Sequence, residues 1–241
     1  MRKDEFPAIN SISDSGPSTD NEQPLDLDAA LGLALTDINT PLREDAFNKS
    51  DEEKMIIIED HFREIMNTLG LDLRDDSLQD TPRRVAKMFV KEIFSGLNPD
   101  NKPSISLFEN KYRYKQMLVE RDIKWHSFCE HHFLPIYGKA HVGYIANGNV
   151  IGLSKLNRIV EYYAKRPQVQ ERLTMQIVKE LQKVLNTKDV ACVIDAKHLC
   201  VNSRGIRDVD SSTVTSEFGG KFKDKATRQE FLDYIKLDTE F

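Results

Sequence analysis

The sequence predicts an α+β protein built around a mainly antiparallel sheet. Three observations carry that prediction. Apolar residues recur at helical spacing from about residue 51 to 97, β-leaning segments then fall into two groups with a pair of helices between them, and no internal repeat is present. Residues 1–50 stand apart, with ten acidic and four basic side chains and four of the nine prolines. Such a stretch buries too little apolar surface to offset its ordering entropy and reads as a disordered tail. Within it, residues 25–35 are able to form a short helix on a partner or a neighbouring subunit.

Structure is expected to begin at Ser50, an N-cap followed by acidic residues in the first turn. Ile58, Phe62, Ile65, Met66 and Leu69 line one helical face, and Gly70 is placed to end it. A second helix opens at Thr81–Pro82, with Thr as cap and Pro at the first helical position. Its buried face is Val85, Met88, Phe89 and Ile93, its exposed face carries Arg84 and Lys87, and Gly96 is the stop. Strands are expected over 105–108, 117–124 and 136–145, with a turn at Asn147-Gly148-Asn149. Helices follow over 154–165 and 169–185, divided at Pro167. Strands return at 190–199 and 209–217, and a last amphipathic helix covers 225–235.

Composition excludes several classes of function. The net charge of −5 leaves no basic excess for a dedicated nucleic-acid binder. No apolar stretch approaches the roughly 18–20 residues needed to cross a bilayer, and MRKDEFPAIN lacks the apolar core of a secretory signal. Three cysteines without an export signal suggest a reducing, cytoplasmic setting, with thiols free for metal or chemistry.

The most informative stretch is Cys129-Glu130-His131-His132, joined further on by His198-Leu199-Cys200. Thiolate and neutral imidazole are ligands that zinc prefers, and Cys129-x-x-His132 lets one loop supply two of them. Residues 198 and 200 would share a face if both lay on a strand. Three ligands plus water would make a catalytic site. Cys129, His132, Cys200 and one of His131 or His198 would close a structural one, and spacing does not choose between them. Two histidines left beside a metal would serve as proton-transfer groups. Cys192 shares the strand parity but sits among Val190, Val193 and Ile194, and reads as core.

Ser154, Lys155 and Arg158 surround a helix start that favours an anion. Arg204, Arg84 and Lys87 add cations, each alone a surface charge. Gln170-Glu171 opens the second central helix, where a carboxylate is either a first-turn charge or an acceptor for paired N–H donors such as those of a guanine edge.

The chain resembles GTP cyclohydrolase I over about residues 51–241. The matching stretches are TPRRVAKMFVKEIFSGL (81–97), SFCEHHFLPIYGKAHVGYI (127–145), IGLSKLNRIVEYYAKRPQVQERLT (151–174), HLCVNSRG (198–205) and STVTSEFGG (212–220). The resemblance implies a catalytic domain over 51–241, with N-terminal helices in 51–97 and a core over 104–241. That core would be a T-fold (tunnelling fold), a four-stranded antiparallel sheet with paired helices, assembled into a toroidal homodecamer of two pentamers with active sites between subunits. It also implies the conversion of GTP and water to 7,8-dihydroneopterin triphosphate and formate, the first step of tetrahydrofolate or other pteridine biosynthesis. In that reading Cys129, His132 and Cys200 hold one Zn²⁺ per subunit. His131 and His198 are the acid/base pair, and Ser154 assists with His198 in rearranging the ribose. Gln170 and Glu171 hold the guanine edge. Ser154, Lys155, Arg158 and Arg204, with Arg84 and Lys87 from a neighbouring subunit, hold the triphosphate.

Overall fold

The computed structural model describes residues 38–238, so residues 25–35 and most of the expected tail lie outside it. At its start, the Ile38 carbonyl accepts from Gln176 at 2.7 Å and the Thr40 hydroxyl from Arg166 at 3.4 Å, which ties residues 38–40 to the core. Helix α1 (Asp51–Thr68) opens as expected on Ser50. The Ser50 hydroxyl accepts the Glu53 N–H at 3.2 Å, and the Glu53 carboxylate takes the Ser50 N–H at 2.7 Å.

Helix α2 (Thr81–Lys87) differs from expectation at both ends. Asp80, not Thr81, holds the cap position, and it makes no side-chain cap bond. The helix does not run on to Gly96 either, because Met88–Ile93 widens into a π-helical turn. Gly96 has a different reason to be glycine. A Cβ there would collide with the Tyr162 carbonyl and lie 2.8 Å from that of Lys165, because this turn packs against the end of a later helix.

A small ribbon pairs β1 (Leu107–Glu109) with β4 (Asn149–Ile151), apart from the main sheet. The main sheet holds β2 (Met117–Cys129), β3 (Pro135–Ile145), β5 (Pro167–Gln168), β6 (Val190–His198) and β7 (Thr213–Phe218), in the order β5-β2-β3-β6-β7. The four longer strands are antiparallel. The sheet therefore has five strands where four were expected, because the corner at Pro167–Gln168 adds parallel to Phe128–Cys129.

Helices α3 (Leu153–Ala164) and α4 (Gln170–Leu185) form the core with this sheet. Cys192, Ile194 and Ala196 of β6 join Leu156, Ile159 and Val160 of α3 and Leu173, Ile177 and Leu181 of α4. Cys192 is fully buried, in keeping with its reading as core. Ala191 and Val193 belong to a second cluster with Met117, Phe222 and Phe231, the last from helix α6 (Lys225–Lys236). Among the described residues no helix is long and apolar enough to cross a membrane.

One end of the sheet gathers the chemistry. There β2 turns into β3 beside Cys129, β6 ends at His198 opposite Ile136, and β5 leads directly into α4.

Candidate metal centre and catalytic site

The loop joining β2 to β3 is closed by its own backbone. Phe133 N–H donates to the Cys129 carbonyl and Cys129 N–H to the Leu134 carbonyl, both at 2.8 Å, with Phe133 at φ +52°. Rings from the π-helical turn and the residue that follows it brace it, Phe89 and Phe94 lying 6.1 and 5.1 Å from Phe133 between centroids. Against this loop, the donor atoms of Cys129, His132 and Cys200 lie within 4.8 Å of one another.

The route by which Cys200 arrives is not the expected one. Strand β6 stops at His198, and Leu199–Asn202 form a single helical turn, α5. The shared strand face of residues 198 and 200 therefore does not exist. Cys200 reaches Cys129 because the chain curls at the strand's end.

A thiol–imidazole–thiol set of this spacing fits zinc. Burial pushes the Cys200 thiol up, and the neighbouring Cys129 adds to the shift, while Arg204 opposes it. A cation between the two sulfurs would relieve that repulsion. Among the described residues, the donor atoms gathered this closely are those of Cys129, His132 and Cys200, without His131 or His198. Glu130 is committed elsewhere. Its carboxylate accepts from Arg172 of α4 at 2.6 and 3.2 Å, and its N–H donates to the Gln168 carbonyl at 3.0 Å. The Arg172 guanidinium holds the Glu130 carboxyl below the usual carboxylate range. This clamp fixes the loop to the start of α4.

Arg172 is a residue that sequence reasoning missed. It stands next to Glu171 in the Arg-Pro-Gln-Val-Gln-Glu-Arg run, but no local periodicity links it to a carboxylate on a distant loop.

The two histidines occupy different settings. His131 is exposed, with Nδ1 3.5 Å from the Cys129 sulfur. His198 is half-buried, with Nε2 2.8 Å from the Gln170 amide oxygen. Burial lowers its pKa, and the Glu171 carboxylate is near enough to oppose that shift. Gln170 is 2% exposed and its amide nitrogen donates to the carbonyls of Ile194 and Thr213 at 3.2 and 2.8 Å. Glu171, one residue on, is exposed.

The cations divide by position. Arg204 is exposed and acts on the Cys200 thiol. Arg84 and Lys87 are exposed on α2, just before the π-helical turn that braces the loop, with Arg84 3.8 Å from Asp80. Ser154, Lys155 and Arg158 lie on the first turns of α3, which runs the other way. Its neighbour Asn157 donates to Glu120 at 3.4 Å, whereas Arg166, just past the helix, accepts from Ser127 at 3.1 Å. From Glu120 to Cys129 the strand covers roughly 30 Å. Within one chain, the Ser154–Lys155 helix start and the Cys129–His132–Cys200 group therefore sit at opposite ends of the sheet.

Comparisons with known proteins agree on one family. A family profile described as GTP cyclohydrolase I matches residues 58–236. GTP cyclohydrolase 1 of Flavobacterium johnsoniae is 71% identical over 201 residues, covering 83% of this chain and 90% of the relative. GTP cyclohydrolase 1 of Aeromonas salmonicida is 54% identical over 205 residues, 85% of this chain and 93% of that relative. The enzyme of the same name from Yersinia enterocolitica is 54% identical over 205 residues, 85% and 92%.

Proposed function

The chain belongs to the GTP cyclohydrolase I family and is a GTP cyclohydrolase, and we propose that it converts GTP and water to 7,8-dihydroneopterin triphosphate and formate at a zinc site. The observation that carries this reading is the Cys129–His132–Cys200 group, with His198 and Glu171 beside it at the same end of the sheet. Cys129, His132 and Cys200 would hold one Zn²⁺ per subunit. When bound, zinc supplies a Lewis acid that brings the pKa of water towards 7 and so provides a nucleophile for C8 of GTP.

The chain's own residues do the remainder. Glu171 accepts the paired N–H donors of the guanine edge, a task that suits an exposed carboxylate in the first turn of α4. His131 and His198 move protons at N7 and along the opening imidazole ring. Two hydrolyses take up two waters and release the carbon as formate, and closure of the new ring returns one water. Ser154 with His198 serves the ribose rearrangement that precedes closure. Arg204, Arg84, Lys87, Lys155 and Arg158 receive the triphosphate, whose charge a local cluster of cations accommodates despite a net charge of −5.

The separation of Ser154, Lys155 and Arg158 from the metal ligands supports an oligomer whose active sites lie between subunits. The α3 cations of one subunit then meet the metal end of the next, as in the ring-shaped decamer of two pentamers that the family implies. A T-fold core around the four longer antiparallel strands, the catalytic domain over 51–241 and the acidic tail over 1–50 belong to the same reading. So does a cytoplasmic setting for a chain whose three cysteines are free thiols. The product feeds tetrahydrofolate or another pteridine.

Formate release from GTP by zinc-loaded protein, with a chelated control, tests the proposal. Zinc-dependent formate and a fluorescent pterin after oxidation are the expected results. No formate from assembled, zinc-replete protein would overturn it.

A further inference from the structure

We propose that Gln170 is a positioning residue for His198. It holds the imidazole in the Nε2–H tautomer and leaves Nδ1 as the lone-pair nitrogen offered to substrate, and its own amide makes no contact with guanine. The inference deepens the GTP reading and rests on it.

The argument is a count of donors and acceptors. The Gln170 side chain is buried, so its amide must find its partners inside the protein. Two of them are backbone carbonyls, those of Ile194 on β6 and Thr213 on β7. A carbonyl only accepts, so the atom facing both is the amide nitrogen, which spends its two hydrogens there. The amide orientation is thereby fixed by its surroundings, and the oxygen faces His198 at 2.8 Å. That oxygen only accepts, so His198 Nε2 carries the hydrogen, and in the neutral ring the lone pair is on Nδ1.

The backbone is held as firmly. The Gln170 carbonyl accepts from the Thr174 hydroxyl at 2.8 Å, which in turn bonds Thr215 on β7 at 2.7 Å. Turning the amide toward a substrate base would break its bonds to the Ile194 and Thr213 carbonyls and to the His198 imidazole at once. Glu171 has no such commitments and is exposed, so base recognition falls to it.

Two readouts test this on the zinc-loaded enzyme. Magic-angle-spinning ¹⁵N NMR of histidine-labelled protein, with His198 assigned by its loss in His198→Asn, is expected to show a protonated Nε2 and an unprotonated Nδ1. The opposite pattern overturns the proposal. Gln170→Met is expected to lower kcat by about 10–100-fold, as loss of an orienting partner does, while KM for GTP stays within about twofold. A raised KM with kcat preserved would return Gln170 to the guanine edge and overturn the proposal. Glu171→Gln is the comparison, expected to raise KM. The two readings fail separately: absence of formate from the wild-type enzyme refutes the GTP reading, whereas an Nδ1–H signal from active enzyme refutes this one alone.

Discussion

The fold gathers the donor atoms of two thiols and an imidazole within 4.8 Å of one another. The backbone-closed turn at Cys129 and the Glu130–Arg172 clamp do that work from the loop's side. Loss of one sulfur should therefore empty the site without unfolding the chain. Cys200→Ser is expected to carry almost no zinc and release almost no formate, with an unchanged far-UV circular dichroism spectrum, as measured by metal analysis beside a turnover assay. Bound metal at wild-type stoichiometry would show that Cys200 is not a ligand. These residues were legible because sulfur and imidazole are rare and chemically distinctive. Arg172 was not, since an arginine looks like any surface cation until its carboxylate partner is seen. Gln170 was read by its neighbour Glu171, and only its burial reveals a separate set of partners.

Among the elements, the bulge in β2 has a consequence for pH. The register shifts between Glu120 and Ile123, Asp122 takes φ +58°, and its N–H donates to His141 Nδ1 at 3.2 Å. That bond requires an unprotonated Nδ1. Burial lowers the His141 pKa; Asp122 and Asp195 oppose the shift, and Lys139 and Arg121 add to it. With the folded value below the ordinary 6.5, the unfolded chain binds more protons in that range. The stability His141 confers is full above 6.5 and is lost as the pH falls from there towards the folded value. Thermal unfolding should show a Tm that drops as the pH falls from about 7 to 5.5, a window set by the ordinary histidine pKa. His141→Asn, whose amide oxygen can accept the same N–H without titrating, should flatten that part of the profile. An unaltered slope in the variant would assign the effect elsewhere. The N-cap at Ser50 was readable because its signal is local. The π-helical turn, the two-residue β5 and the single turn around Cys200 were not. The first has no local signature, the second exists only through its pairing with β2, and Leu-Cys-Val suits a strand as well as a helix.

For the molecule as a whole, the distance between the start of α3 and the metal ligands predicts complementation. His198→Ala and Lys155→Ala chains should each be nearly inactive alone. Co-expressed, they should regain turnover at about a quarter of sites, since a site shared by two subunits can draw its intact half from each. No recovery in mixed assemblies would place both residues in one subunit's site. Subunit number was beyond the reach of the sequence, because no pattern within one chain counts its neighbours. The sheet itself carries a last consequence. Its fifth strand covers only Phe128–Cys129 of β2, and β7 forms the other border, so along Met117–Ser127 no strand among the described residues pairs with β2 on its outer side. Rows of unpaired N–H and C=O groups are templates for any passing strand. A newly made subunit thus faces a race between meeting its proper neighbours and aggregating with strangers, and rapid overproduction tilts that race toward inclusion bodies.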